Sequence, residues 1–344
     1  MARTARKFRI GVIGAGAIAQ ACHIPGYVKA GNCELSAIAD PNDACLKEVA
    51  GRGWRFRAVY HDYREMLARE KLDAISICTP NALHKEQAVA AAATGADILL
   101  EKPVVLSMDE ARAVRQAVRR HGNRVMVGFS HRFSPHNVLV HKKVQAGAIG
   151  RPYMIRIRFA HMGPWPGWAK TDWFYNPALA GGGALLDMGI HAFDLARWIV
   201  GEATAVQARI ATLRKKIRVD DNAVVVLEFG GKCLGCIEVG WTSPSGFVGL
   251  EVMGDKGSIT VDYAAQKTTM TAGATRPDGG RRLRTTVLLE SLSMHTWDEE
   301  MAHFTSMLGN HRPFRVGLED GVAALKLALA AYKSGRTGRR VAIR

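Results

Sequence analysis

Residues 8–30 read FRIGVIGAGAIAQACHIPGYVKA. An apolar strand starting at Phe8 runs into Gly14-Ala15-Gly16, and a helix-compatible segment begins near Ala17. This is the G-x-G-x-x-A form of a dinucleotide fingerprint, with Ala19 in the third glycine's place. One glycine makes the tight turn, the next lets a pyrophosphate approach bare backbone, and the helix start, through Ala17 and Ile18, turns its free N–H groups toward the phosphates. A glycine triplet alone is weak evidence, so the reading depends on what surrounds it.

A second strand, Glu34 to Ala39, ends in Asp40, about 20 residues beyond the fingerprint, where a carboxylate accepts hydrogen bonds from an adenosine ribose and repels a 2′-phosphate. NAD is therefore expected over NADP, with an Asp in an ordinary Asp-Pro turn as the plain alternative. Strand and helix keep alternating: a short strand at Arg57 to Tyr60, a helix to Glu70, a buried strand at Asp73 to Cys78, another at Asp97 to Leu100, a helix from Met108 to His121 with Ser107 as its N-cap, and a strand at Arg124 to Phe129. In open parallel sheets ligands gather at the carboxyl ends of the strands. The tips at Gly14, Asp40, Thr79 and Lys102 should thus meet in one crevice. The expected cofactor contacts are Gly14, Gly16, Ala17, Ile18, Asp40, Thr79, Asn81, His84, Glu101 and Lys102.

A second informative stretch, Ala180 to Asp194, reads AGGGALLDMGIHAFD. The glycines Gly181 to Gly183 are expected to leave backbone bare for a bulky ligand. If the following segment is helical, Asp187, His191 and Asp194 share one face, so that a carboxylate one turn from an imidazole can set its orientation and tautomer. A neutral histidine near pKa ~6.5 is suited to take a proton from an alcohol. A buried helix with satisfied polar groups reads equally well from this stretch alone.

Composition narrows the classes. At 344 residues the chain is long enough for two domains, and 48% hydrophobic with 23% charged residues is ordinary for a globular protein. Lys plus Arg number 47 against 31 Asp plus Glu, a net +16 that favours anionic ligands, yet the basic groups (MARTARK, Arg214 to Arg218, Arg281 to Arg284, GRTGRR) are scattered. With no zinc-finger spacing or RNA-binding signature, no specific nucleic-acid partner is expected. Six cysteines make no disulfide framework, and Cys233 and Cys236, three apart on an expected strand, point to opposite faces, so no metal site is expected. The start of the chain lacks a signal-peptide pattern and no apolar run approaches ~20 residues, so a reducing cytoplasm and no membrane contact are expected.

The second half changes pattern. Ser134 to Gly147 is helical, and YMIRIRFAH alternates with Met154, Arg156 and Arg158 on one side and Ile155, Ile157 and Phe159 on the other. A Pro/Gly-broken loop follows with Trp165, Trp168, Trp173, Phe174 and Tyr175, whose rings could stack on a sugar or cover the nicotinamide, pack in the loop's own core, or meet a subunit. Five strands between Ala205 and Tyr263, with a Gly230-Gly231 hairpin turn, imply an open-faced sheet whose bare face a partner subunit would cover. Helices at Trp297 to Leu308 and Leu318 to Ser334 close the chain.

GAGAIA, TPNALH, GADILLEKP, GFSHRFSP and AGGGALLDMGIHAFDL, in this order across nearly the whole chain, resemble the Gfo/Idh/MocA family of NAD(P)-dependent oxidoreductases. The resemblance implies an α/β protein: an N-terminal Rossmann domain (1–129, rejoined by a C-terminal helix near 317–344) and an α+β domain (130–316) with an open-faced, mostly antiparallel sheet that serves oligomerisation, as a homodimer or homotetramer. It also implies an NAD-dependent dehydrogenase of CH–OH groups acting on a cyclic polyol or sugar. His191 would be the general base and Lys102, aimed by a cis proline peptide, would stabilise the alkoxide; Asp187 would orient His191 or bind a substrate hydroxyl. Substrate contacts are expected from Lys102, Arg132, Trp173, Asp187, His191 and Asp194, with the loops 160–176 and 241–249 deciding identity. A keto-sugar reductase of a nucleotide-sugar or antibiotic pathway, with Arg132, Arg156 or Arg158 on a phosphate, and a non-catalytic NAD-binding regulator are the alternatives.

Overall fold

A computed structural model describes residues 6–244, 247–275, 281–290 and 296–343. The first five residues, and residues 245 and 246 of the expected substrate loop, lie outside the described residues. The chain builds two sheets. The first holds β1 (Phe8–Ile13), β2 (Cys33–Ala39), β3 (Ala58–Tyr60), β4 (Ala74–Ile77), β5 (Asp97–Leu100) and β6 (Val125–Val127), all parallel, in the order β3-β2-β1-β4-β5-β6. That order reverses direction beside β1, the switch point at which doubly wound sheets bind dinucleotides. β4, AISI, is buried along its whole length, which follows from helices covering both faces.

The connecting helices show why these residues stop where they do. α1 (Ile24–Ala30) is preceded by a π-helical turn, Ala19–His23. α2 (Asp43–Gly51) is capped by Asn42, whose side chain accepts from the Ala44 N–H, and α3 (Tyr63–Arg69) is capped likewise by Asp62. α4 (His84–Ala92) follows β4. α5 (Met108–His121) starts at Ser107, whose Oγ accepts from the Glu110 N–H at 3.2 Å, and ends at left-handed Gly122.

After α6 (Pro135–Gln145) the second sheet begins: β7 (Pro152–Ala160), then β8 (Ala205–Ala211), β9 (Asn222–Phe229), β10 (Cys233–Gly240), β11 (Phe247–Gly254), β12 (Gly257–Asp262), β13 (Lys267–Thr275), β14 (Arg281–Glu290) and the short β15 (Val341–Ala342). Its order is β14-β13-β12-β11-β7-β10-β9-β8-β15, antiparallel except for β7 beside β10. The Gly230-Gly231 turn has φ of 60° and 71°, as a two-residue hairpin requires. Cys233 is buried and Cys236 exposed, on opposite faces as expected.

α7 (Pro177–Ala180) and α8 (Ile190–Val200) lie before β8, and α9 (Thr296–Met307) and α10 (Leu318–Thr337) follow the sheet. α8 and α10 pack on one sheet face; on the other, Val224, Val226 and Leu234 are exposed. Two findings refine the expected domain division. α9 packs on α1, where a Cβ at Gly26 would lie 2.5 Å from Met301, so the chain returns to the first sheet before Leu318. α10 starts beside β6 but ends on β8, and β15 pairs with β8, so residues 317–343 serve both sheets. The main hydrophobic core among the described residues, including Ile10, Val252 and Leu325, runs through both halves, and a small separate cluster holds Ala184, Val219 and Trp241.

Candidate active site

The glycine loop has the geometry its sequence implies. Gly14 has φ +92°, and a Cβ there would lie 2.7 Å from the Cys78 carbonyl oxygen, so only glycine fits against the β4 tip. At Gly16 a Cβ would meet nothing within 4 Å, which leaves open backbone for a phosphate beside the helix opened by Ala17 and Ile18. Asp40 Oδ2 accepts from the Ala15 N–H at 2.7 Å and Oδ1 from the Asn42 N–H at 2.8 Å, fixing the carboxylate beside the loop. These features fit a dinucleotide.

Three other expected cofactor contacts are engaged inside the protein. His84 is fully buried between the Pro103 and Thr79 carbonyls, at 2.7 and 3.0 Å, and buttresses the two strand tips. Asn81 Nδ2 donates to the Ala180 carbonyl at 2.8 Å, stitching the halves together. Glu101 pairs with His23 at 3.0 Å and accepts from the Lys102 N–H at 3.2 Å; its carboxyl is held below the usual range despite the upward push of burial, chiefly by His23. Thr79 remains at the crevice edge, with its hydroxyl on Gln87.

The peptide Lys102–Pro103 is cis, as the resemblance implied. Lys102 Nζ donates to Asp187 Oδ1 at 2.6 Å and to the Asp187 carbonyl at 3.2 Å, so the lysine pairs across the crevice with the other half of the chain rather than with Glu101. Asp187 lies in a π-helical turn, Leu185–Gly189, that leads into α8. Its Oδ2 accepts from the Trp241 indole N–H at 3.3 Å. The expected Asp187–His191 pair does not form. His191 Nδ1 is buried without a partner, because both Asp187 oxygens face Lys102 and Trp241. The His191 ring packs edge-on to Phe129 (5.7 Å) and His131 (4.9 Å). Burial, then Lys102 and His131, hold its pKa well below the ordinary value, so the imidazole is neutral at pH 7.

Asp194 is corrected too. It is 1% exposed and takes the Arg132 fork on both oxygens at 2.6 Å, while Arg132 also reaches Asp320 at 3.0 Å. Neither faces a ligand. Arg156 pairs with Glu251 and Arg158 with Glu238, each a cross-strand neighbour, so each of the three expected phosphate anchors has a carboxylate partner inside the protein. Trp173 stacks on Phe174 at 3.9 Å, which turns into Trp168, and Tyr175 packs on Trp241 at 5.7 Å. These contacts are of the loop-core packing kind, and Trp168 keeps an exposed ring beside them.

The triple glycine serves the protein's own packing rather than a ligand. A Cβ at Gly181 would lie 2.4 Å from Leu106, at Gly182 2.3 Å from the Tyr332 hydroxyl and at Gly183 1.9 Å from the Asp220 carbonyl oxygen. Asp220, unnoticed in sequence, accepts from the Gly183 and Leu185 N–H groups at 2.9 and 2.8 Å and from Tyr332 at 2.7 Å, capping the turn that presents Asp187. Also missed were Trp241, His131 and His161. His131 has a buried, unpartnered Nδ1 and a pKa lowered to about 4 by burial and then Lys102. His161 accepts the Gly163 N–H at Nδ1 (2.8 Å), and its Nε2 lies 3.2 Å from the Met188 sulfur beside Asp187. The pair Asp220-Asp221 ahead of a strand was the available signal for the cap; the others carried none.

A switch-point glycine loop with a lysine and an imidazole beside it defines the class of nicotinamide-dinucleotide oxidoreductases. Residues 8–129 match the oxidoreductase family with an NAD-binding Rossmann fold, and residues 138–260 match the GFO/IDH/MocA C-terminal domain. The chain belongs to the Gfo/Idh/MocA family and is an NAD-binding oxidoreductase. It is 30% identical to an inositol 2-dehydrogenase of Rhizobium meliloti (97% of this chain, 99% of that one) and 29% identical to a myo-inositol 2-dehydrogenase of Thermotoga maritima (95% and 96%). A levoglucosan dehydrogenase solved in complex with NADH superposes with a TM-score of 0.87 at 25% identity, covering 98% of this chain and 100% of that one.

Proposed function

We propose that the protein oxidises a secondary alcohol of a cyclic polyol or sugar, or reduces the matching ketone, in a crevice walled by Lys102, Asp187 and His191. The observation that carries this is the Lys102 ammonium, 2.6 Å from Asp187 Oδ1 in the turn that leads into the helix carrying His191. Bound NAD supplies the hydride acceptor. Two of the lysine's three N–H donors are spent on Asp187, which leaves one for the reacting oxygen, where it stabilises developing alkoxide charge. His191, neutral at pH 7, takes the hydroxyl proton through Nε2, since Nδ1 is sealed. Asp187 holds the lysine in place rather than the histidine. Asp40, set against the Ala15 N–H, receives the adenosine ribose and favours NAD over NADP. The inositol and levoglucosan dehydrogenases it resembles support a neutral cyclic substrate. The pairing of Arg132, Arg156 and Arg158 weighs against a phosphorylated one, and with it against the nucleotide-sugar reductase.

A second copy covers the exposed sheet face around Val224, Val226 and Leu234, and the protein works in the cytoplasm, where its six thiols stay reduced. The test is NADH formation at ~340 nm against inositols and pyranoses, with Lys102→Ala and His191→Ala beside the wild type. Turnover is expected to fall roughly 10²- to 10⁴-fold in each while NAD still binds. Retention within about tenfold in either removes that residue's role.

A further inference from the structure

The loop joining β7 to α7, residues 161–176, touches the dinucleotide side through Lys170. Its ammonium donates to Gln20 Oε1 at 3.2 Å and pairs with Glu48 on α2. Gln20 is 3% exposed, and its Nε2 donates to the Ala15 carbonyl at 2.8 Å, so the acceptor offered to Lys170 is fixed by the glycine loop itself. Ala15 in turn donates its N–H to Asp40. Beyond Lys170 the same loop carries Phe174, stacked on Trp173, and Tyr175, packed on Trp241, whose indole holds Asp187. The loop thus joins two contacts along the chain: at Lys170 it meets the residue that holds the phosphate-binding backbone, and at Tyr175 it packs on the indole that holds Asp187.

We propose that Lys170 is a cofactor-retaining residue: with Gln20 and Glu48 it clasps the substrate-side loop across the dinucleotide cleft, so that NAD leaves only when this clasp opens. This rests on the NAD site at Gly14, Gly16 and Asp40. An isolated exposed ion pair does little, but this one closes a loop between parts of the chain far apart in sequence, which is how a lid controls release. Because the loop ends on Trp241, opening also loosens the wall behind Asp187.

The experiment uses the full chain and NADH. Stopped-flow fluorescence gives the dissociation rate, and equilibrium titration gives the Kd, for Lys170→Ala, Glu48→Gln, the double variant and Lys170→Arg. Lys170→Ala and Glu48→Gln should each speed NADH release about tenfold, the double variant should add nothing, and Lys170→Arg should restore most of the wild-type rate. Raising the salt concentration should speed release from the wild type and leave Lys170→Ala unchanged. Release within about twofold of wild type in Lys170→Ala, or additive effects in the double variant, overturns the clasp. Gly16→Val, whose side chain would meet no protein atom near its Cβ and would fill the open space expected for a phosphate, tests the site separately. Its loss of NADH binding beside a silent Lys170→Ala leaves the site standing and the clasp refuted, whereas a wild-type chain that binds no NADH refutes both.

Discussion

Asp187 and Asp194 lie on one helical segment, and each faces a cation from the tip of a neighbouring strand of the first sheet: Lys102 after β5, Arg132 after β6. The outcomes differ. The Arg132 and Asp194 side chains are 5% and 1% exposed, and the guanidinium fork is spent on Asp194 and Asp320. The Lys102 and Asp187 side chains keep 17% and 7%, and the ammonium retains a donor. A planar fork that matches a carboxylate in two bonds makes a bolt, whereas a point charge on a flexible stem makes a tool. The same two strands and one helix thus carry a joint and the proposed catalytic pair side by side.

The largest effects should separate the two pairs. Lys102→Met should abolish most turnover and cost less stability than Arg132→Met, since Asp187 keeps the Trp241 indole N–H and the Lys102 side chain, 17% exposed, stands at the crevice edge. Arg132→Met strands a buried carboxylate and should cost roughly 3–5 kcal/mol of stability. Urea unfolding of both variants checks this. A stable Arg132→Met with lost activity would make Arg132 a site residue after all and collapse the contrast.

How much of this was visible beforehand follows the same division. The parallel sheet was legible because each signal is local: Gly14 at a strand end, Asp40 at the next, Lys102 before its proline. Strands β13 and β14 escaped because KTTMTAGAT and RRLRTTVLLE mix polar and small residues without clear alternation. Helix α2 escaped because it buries little beyond Val49. A triple glycine in sequence says only that something lies close to bare backbone; that it is Asp220 and Tyr332 rather than a ligand is tertiary information. Which carboxylate served Lys102 and which served Arg132 was equally hidden, as both fit helical spacing.

A smaller effect concerns acid. His131 has a folded pKa of about 4, below its unfolded value near 6.5, and His191 is shifted in the same direction. The unfolded chain therefore binds more protons between these values, so this stabilising contribution is complete above about pH 6.5 and is lost as pH falls toward 4. The imidazoles cluster on the Lys102 side, so acid should loosen that side first. Urea midpoints at about pH 7 and pH 5 should differ more for the wild type than for His131→Phe, which keeps the stacking on Phe159. An unchanged difference would place the acid sensitivity elsewhere.

The smallest expected effect sharpens what Asp187 needs from its neighbours. Trp241 is fully buried, packs on Tyr175 and donates to Asp187 Oδ2 at 3.3 Å, a long bond beside the 2.6 Å contact to Lys102. Trp241→Phe removes the donor while keeping much of the packing, and a hydrogen bond to a charged group contributes about 1.5–3 kcal/mol at best. At this length the lower end applies, so kcat should fall by about tenfold or less, with the KM for NAD unchanged. Lys102 continues to hold Oδ1, so the carboxylate rotates but does not leave. A loss as large as that of Lys102→Ala would mean that the indole, rather than the ion pair, sets the position of Asp187, and the lysine would then be held where its partner's other neighbour puts it.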